Sequence, residues 1–201
     1  MRSKTGSRTF IEQARRRQII DGAIDVLARD GYGAASLAAI AAEIGVSKGV
    51  ISYHFAGKDE LLRAVVADVL AEASGEMRPQ VEAASGFADA LDRYITSNLD
   101  FIGARRHKIL ALTEIFNNMR PADGQPHPYA EGHRAAVAAL ASLLTAGQQA
   151  GEFGPFPAQY VAIALRAAID AVGDLLRDNP DMDVRDYGAA LAGLFGKAVQ
   201  A

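Results

Sequence analysis

The sequence of 201 residues contains no cysteine and no tryptophan. The lack of cysteine excludes disulfides, thiolate metal sites and thiol nucleophiles. The chain also lacks an apolar run long enough to span a bilayer, and its basic N-terminus lacks the apolar segment of a secretion signal. We therefore expect a soluble, cytoplasmic protein that does not interact with a membrane.

Signatures of metal sites and phosphate chemistry are also missing. The sequence has no His-Glu-x-x-His pair and no glycine-rich phosphate-binding loop. His127, Glu131 and His133 suggest a metal site only weakly, because the two histidines are six positions apart across the edge of a proline-rich loop. We expect no metal, no cofactor and no catalytic residue. An all-helical hydrolase or lyase that uses Glu114 and His107 is a remote alternative.

The composition favours an all-α fold. Half of the residues are hydrophobic, alanine is abundant and β-branched runs are scarce. Apolar periodicity and capping signals predict about nine helices. Their approximate ranges are 9–30, 36–44, 47–55, 57–77, 86–103, 106–118, 129–150, 158–177 and 184–199.

The segment from Ser36 to Phe55 predicts a helix-turn-helix motif. Ser36 is a good N-cap, an apolar face follows it at helical spacing, and Gly45 can adopt the positive φ with which many helices end. Ser47 can cap a second helix, whose outer face is largely polar. In this motif the second helix enters the major groove of DNA.

The charge distribution agrees with a DNA-binding head on an acidic body. The net charge is −3, but residues 1–60 carry 9 Lys or Arg against 7 Asp or Glu, whereas residues 61–201 carry 12 against 17. A basic head is typical of proteins that bind DNA, although a solvated basic tail gives the same pattern. Arg15, Arg16 and Arg17 suit phosphate contacts and solvent exposure equally well.

Residues from about 15 to 69 resemble the N-terminal domain of the TetR family of bacterial transcription regulators. The resemblance is carried by the residues of 19–32, 36–41, 45–49, 53–55 and 58–62. It implies a helix-turn-helix domain at residues 1–60 and a helical effector-binding and dimerisation domain at residues 61–201. It also implies a homodimer formed through the last two helices, and a small effector that releases the protein from double-stranded operator DNA.

The expected DNA-binding residues lie in or beside the helix-turn-helix motif. Lys48 and Ser52 can reach base edges, and Gly49 allows the backbone to approach DNA closely. Tyr53, His54 and Lys58 have the reach for phosphates, although Tyr53 can instead close the core of the head. The full set is Ser36, Ser47, Lys48, Gly49, Ser52, Tyr53, His54 and Lys58.

The expected effector-binding residues are polar or aromatic side chains within apolar helices. Arg166 and Asp170 are four positions apart on one helix and can pair, although this pair could also cross a dimer interface. A mostly apolar site with few polar anchors suits a largely hydrophobic small molecule. The full set is Tyr94, Asn98, Phe101, His107, Glu114, Arg166 and Asp170.

The sequence therefore predicts a repressor that a ligand releases from its operator. It leaves open a DNA-binding regulator without effector control, and one that acts as an activator.

Overall fold

The computed structural model describes residues 4–120 and 127–200, and every regular element within these ranges is an α-helix. The expectation of an all-α fold is confirmed. The helices are α1 (Lys4–Ala34), α2 (Leu37–Glu43), α3 (Lys48–His54), α4 (Lys58–Glu82), α5 (Phe87–Ala104), α6 (Arg106–Asn118), α7 (Pro128–Gln149), α8 (Ala158–Asp170), α9 (Val172–Asp178) and α10 (Val184–Ala198). Within the described part of the chain, no helix is long and apolar enough to cross a membrane.

Helices α1 to α3 form the head around a shared apolar core. Ile19, Ala23 and Leu27 are fully buried on one stripe of α1, at the spacing of a helical face. Gly22 lies on the same stripe, and a Cβ atom there would come within 2.3 Å of the Ile44 side chain. The absence of a side chain at Gly22 therefore lets the end of α2 pack closely against α1.

The helix-turn-helix motif is formed as expected. Ser36 caps α2, since its hydroxyl oxygen accepts a hydrogen bond from the Ala39 amide at 3.1 Å. Gly45 turns the chain with φ at 67°, a conformation that favours glycine. Ser47 has extended backbone at the start of α3, but its hydroxyl makes no capping bond. Ser47 therefore occupies the N-cap position, but the hydrogen bond expected of its side chain is not formed.

Helix α4 is longer than the sequence suggested. It continues through Pro79 to Glu82, whereas the proline predicted an end near residue 77. Proline lacks the amide that would bond to the carbonyl four residues earlier, at Gly75. This loss falls in the last turn of α4, where the helix tolerates it.

Two apolar clusters form the core. The first contains buried residues of α1 to α4 together with Phe101, Ala111, Leu112, Ile115 and Met119, so it joins the head to α5 and α6. The second lies among α5, α7, α8, α9 and α10. Helix α6 thus packs against α1 of the head, although it lies within residues 61–201, the segment predicted to form the body. The division at residues 60 and 61 stays a prediction.

The predicted helix at 158–177 is two segments. Helices α8 and α9 meet at Ala171, which directly follows Asp170. Nothing in the local sequence marks this break, because no proline or left-handed glycine occurs there. Helix α9 instead turns to pack against α6, where Gly173 allows close contact with Thr113.

Candidate nucleic-acid interface and interhelical polar cluster

The outer face of α3 is polar and exposed. Ile51 and Phe55 are buried and hold the helix on the head. The opposite face presents exposed side chains or backbone at Ser47, Lys48, Gly49, Ser52 and Tyr53. The expected groups for contact with base edges and phosphates are therefore together on one surface.

Gly49 is not required by the packing of the head. Its φ is not in the left-handed region, and a Cβ atom built there would meet only Ser47 Oγ, at 3.6 Å, among the described residues. An alanine would fit the isolated protein and would favour the helix. The space above Gly49 is consistent with the close approach of another molecule.

Tyr53 does not close the core of the head. It is 72% exposed, and its ring makes an edge contact with the His54 ring at 5.0 Å between centroids. Its hydroxyl is thus accessible to a phosphate. His54 is half-buried at the end of α3.

Arg16 supports the recognition helix from α1. Its guanidinium donates to the His54 carbonyl and lies 4.1 Å from the centre of the Phe55 ring. A cation over an aromatic face and a hydrogen bond to a helix C-terminus are both favourable. The sequence could not distinguish this role from a phosphate contact, because Arg15, Arg16 and Arg17 are adjacent and chemically identical.

Lys58 is engaged inside the head. Its ammonium donates to the Tyr32 carbonyl at 2.8 Å and lies 4.0 Å from the centre of the Tyr32 ring. Burial lowers the pKa of Lys58. A phosphate contact by Lys58 would compete with these bonds and stays a prediction.

Four of the seven expected effector-binding residues meet in a partly buried polar cluster. Arg166 donates to Asp170 Oδ1 at 2.9 Å through Nε, and its Nη1 donates to the Tyr94 hydroxyl at 3.2 Å and to Asn98 Oδ1 at 3.1 Å. The Arg166 side chain is only 12% exposed. A buried guanidinium requires such partners, because an unpaired charge is costly away from water.

Tyr129 and His133 complete this cluster from α7. The Tyr129 hydroxyl donates to Asp170 Oδ2 at 3.0 Å, and His133 Nδ1 lies 3.0 Å from the same oxygen. Burial, and secondarily the Asp170 charge, raises the pKa of Tyr129 to about 12. Sequence reasoning considered His133 only as a metal ligand and missed Tyr129. Their four-residue spacing was the available signal, but it did not indicate contact with α8.

The other three expected residues lie elsewhere. Phe101 is buried in the first apolar cluster, with the Arg105 guanidinium 4.6 Å from its ring centre. His107 lines an open groove of about 400 Å³ between head and body. Glu114 bonds to the Tyr32 amide at 2.9 Å and pairs with Arg177 at 3.1 Å. These residues are not part of the Arg166 cluster.

One pattern typical of hydrolases occurs in the sequence without the structure that it accompanies in those enzymes. Residues 45–49 read Gly-Val-Ser-Lys-Gly, which spells the Gly-x-Ser-x-Gly pattern of hydrolase nucleophile elbows. That elbow joins a strand to a helix, whereas Ser47 lies between α2 and α3. Over the described ranges, no group of three His, Cys, Asp or Glu side chains could hold a metal ion.

Comparison with known proteins agrees with this geometry. The model of the tetR family of bacterial regulatory proteins matches residues 19–65. The HTH-type nicotine-responsive transcriptional repressor HdnoR of Paenarthrobacter nicotinovorans is 46% identical over 56 residues, which are 28% of this chain and 29% of that protein. The HTH-type transcriptional regulator BetI of Vibrio parahaemolyticus is 31% identical over 103 residues, 50% of this chain and 51% of BetI.

These matches span about half or less of the relatives' length, and a solved structure extends the likeness of the fold to the body. A transcriptional regulator of Saccharomonospora viridis in complex with choline is 21% identical, with a TM-score of 0.80 over 94% of this chain and 99% of that one. At this identity the likeness establishes the fold. Residues 19–65 therefore match the tetR family of bacterial regulatory proteins, and the chain as a whole has the fold of the Saccharomonospora protein.

Proposed function

We propose that this protein is a sequence-specific, DNA-binding transcriptional repressor. The observation that carries the proposal is the exposed polar face of α3 on a helix-turn-helix head that matches the family model. A helix held by Ile51 and Phe55, with Lys48, Ser52 and Tyr53 outward, has the form that enters a major groove. The regulatory role of the family and the repressor function of HdnoR support the same proposal.

Two heads act together if the chain forms a homodimer through α8 and α10. Tyr160 and Ile163 on α8 and Leu194 on α10 are 70%, 42% and 62% exposed. The other outward positions of these two helices include small side chains: Ala164, Ala167, Ala190 and Gly193. Exposed apolar side chains beside small ones allow close helix packing, so these surfaces suit a self-complementary interface.

We place the effector at the Arg166 cluster. The cluster lies beside the apolar residues of the second core cluster, and the Phe116 and Tyr129 rings are 5.2 Å apart between centroids. A few polar anchors within an apolar region are the usual form of a small-molecule site. The nicotine-responsive relative and the choline complex of the Saccharomonospora protein support control by a small organic molecule.

Binding to the DNA upstream of the protein's own gene tests this function. We expect specific binding whose affinity falls steeply with salt, because phosphate contacts release counterions. Lys48→Ala should change the preferred sequence, and Leu194→Glu should lower affinity by breaking the dimer. Binding no tighter than to random DNA would contradict the proposal.

Two further experiments separate the remaining alternatives. Release from DNA by a compound from a small-molecule library distinguishes a ligand-controlled repressor from a regulator without effector control. A reporter assay distinguishes repression from activation.

The enzyme alternative loses support from the geometry. Glu114 is bonded to a backbone amide and to Arg177, whereas His107 lines the groove with Asp25, Arg29 and Glu43. The two candidate acid and base groups therefore have different neighbours.

A further inference from the structure

Helix α1 contains a break where the head meets the body. Gly31 has φ at 79° and ψ at 172°, which interrupts the helix in the left-handed region that favours glycine. The amide of the next residue, Tyr32, donates to Glu114 Oε2 of α6 at 2.9 Å. A side chain on the body thus receives a backbone hydrogen bond of the head.

Tyr32 is also bonded to the first residue of α4. The Tyr32 carbonyl accepts a hydrogen bond from Lys58 Nζ at 2.8 Å. Lys58 is the first residue of α4 and lies four positions after His54, the last residue of the recognition helix. Tyr32 therefore links Glu114 to the start of α4 through its own amide and carbonyl.

Helix α9 also packs on α6. A Cβ atom at Gly173 would lie 2.1 Å from Thr113 Oγ1, so the two helices are in close contact. Asn117 donates to Asp174 at 3.0 Å. Arg177 pairs with Glu114 Oε1 at 3.1 Å. The two oxygens of Glu114 thus bind two different partners, one in the head and one in α9.

Helix α9 begins two positions after Asp170 of the Arg166 cluster. Asp170 ends α8, Ala171 forms the break and α9 follows. Since α9 is short and packed on α6, a shift at Asp170 has a direct covalent route to the Arg177–Glu114 pair. Packed interiors transmit such shifts because they deform little.

We infer that Glu114 is a positioning residue that couples the Arg166 cluster to the orientation of the DNA-binding head. This inference rests on the proposed function, and it reassigns Glu114 from an effector contact to the joint between body and head. An effector that rearranges Asp170 moves α9 and thereby alters the Arg177–Glu114 ion pair. This change in turn alters the hydrogen bond between the Tyr32 amide and Glu114. A ligand acts in this way only if it binds the displaced arrangement more tightly.

A double-mutant cycle on operator affinity tests the coupling. Asp170→Asn perturbs the cluster without an effector. Glu114→Ala removes the hydrogen bond to the Tyr32 amide and the ion pair with Arg177. We expect the effect of Asp170→Asn on affinity to differ by about threefold or more between the two backgrounds, since coupled sites give non-additive free energies. Glu114→Gln retains an acceptor for the Tyr32 amide and should restore part of the coupling. Independent effects, equal within error, would show that Glu114 has only a structural role.

Glu152 offers a matched control. Its carboxylate accepts hydrogen bonds from the Phe87 and Ala88 amides at 2.7 and 3.1 Å, but both partners lie in the body. Glu152→Ala should act independently of Asp170→Asn in the same cycle. Equal coupling for Glu152 and Glu114 would overturn the assignment. Tyr129→Phe, which removes one hydrogen bond to Asp170, replaces Asp170→Asn if that variant does not fold.

Hydrogen exchange of the Tyr32 amide provides a readout that does not depend on DNA. We expect faster exchange of this amide in Glu114→Ala, and also in Asp170→Asn although Asp170 does not contact Tyr32. If the wild-type protein binds no operator, the proposed function fails. The exchange measurement still tests whether a change at Asp170 reaches the bond between Glu114 and the Tyr32 amide. Unchanged exchange in Asp170→Asn would reject transmission through α9.

Discussion

The outer face of α3 and the Arg166 cluster use their polar groups in opposite ways. On α3, Lys48, Ser52 and Tyr53 are exposed on a helix that is anchored by its other face. In the cluster, Arg166 and Asp170 have partners from α5 and α7 inside the protein. Substitutions on the first surface should change binding with little effect on folding, whereas those in the second should change folding first.

The largest expected effect is the loss of stability in Arg166→Met. This change leaves Asp170 without its cation, and breaking a buried pair from one side costs about 3 kcal/mol. We place the loss at the low end of the known range, because the Asp170 side chain is 26% exposed and keeps Tyr129 and His133. Urea unfolding measures the change in the free energy of unfolding.

Arg185→Met is the control for that measurement. Arg185 pairs with Asp100 at 3.3 Å, but the two side chains are 85% and 58% exposed. Exposed pairs contribute about 0–1 kcal/mol, so this variant should unfold close to the wild type. Equal losses in the two variants would show that the Arg166 cluster behaves as a surface pair.

Gly49→Ala should separate DNA affinity from stability. A Cβ atom there meets no backbone within the head, and the helix propensity of alanine favours folding by up to about 1 kcal/mol. The same Cβ atom would obstruct the approach of DNA, so we expect operator affinity to fall about tenfold or more. Fluorescence anisotropy and urea unfolding measure the two quantities. Unchanged affinity would place the DNA away from Gly49.

Tyr53→Phe should weaken binding by a few-fold on cognate and random DNA alike. The lost hydroxyl is on a ring that is 72% exposed, and a phosphate contact carries no base information. Stability should stay within about 0.5 kcal/mol, as is usual for surface substitutions. Ser52→Ala is the contrasting variant, since loss of a base-edge contact alters the preferred sequence. A loss for Tyr53→Phe confined to cognate DNA would move Tyr53 to the base-reading group.

The smallest effect concerns the ionisation of Tyr129. Burial and the Asp170 charge together raise its pKa to about 12. Asp170→Asn removes the negative charge, so the pKa should fall, yet it should stay above the ordinary value of about 10 because burial is the larger cause. Ultraviolet titration follows the ionisation, and Tyr129→Phe identifies the signal. An unchanged pKa in Asp170→Asn would show that Asp170 does not act on Tyr129.

Local patterns were sufficient for most of the fold. Caps, apolar stripes and glycines at helix ends act within one or two turns, so the sequence predicted the helix-turn-helix motif from Ser36 to Phe55 and most helix ranges. The two exceptions have different causes, one in the position of a proline within its helix and one in tertiary packing. Helix α4 tolerates Pro79 in its last turn, and the break at Ala171 follows from the packing of α9 on α6.

The polar sites were predicted only in part, because their geometry depends on distant contacts. The Arg166–Asp170 pair lies at a local four-residue spacing and was foreseen. Its partners Tyr94 and Asn98 come from a helix about 70 positions away, and Tyr129 and His133 from another. Composition can nominate such residues, but it cannot say which of them meet.

The short-range spacing of caps, glycines and apolar residues was enough to indicate the family whose model matches residues 19–65. Tertiary structure decided the rest: Lys58 turns inward to Tyr32, Arg16 supports α3, and Glu114 joins α6 to the head. The physical reason is distance along the chain. A cap or an apolar stripe is set by neighbours within a few residues, whereas the partner of a charged side chain is set by which helices pack together.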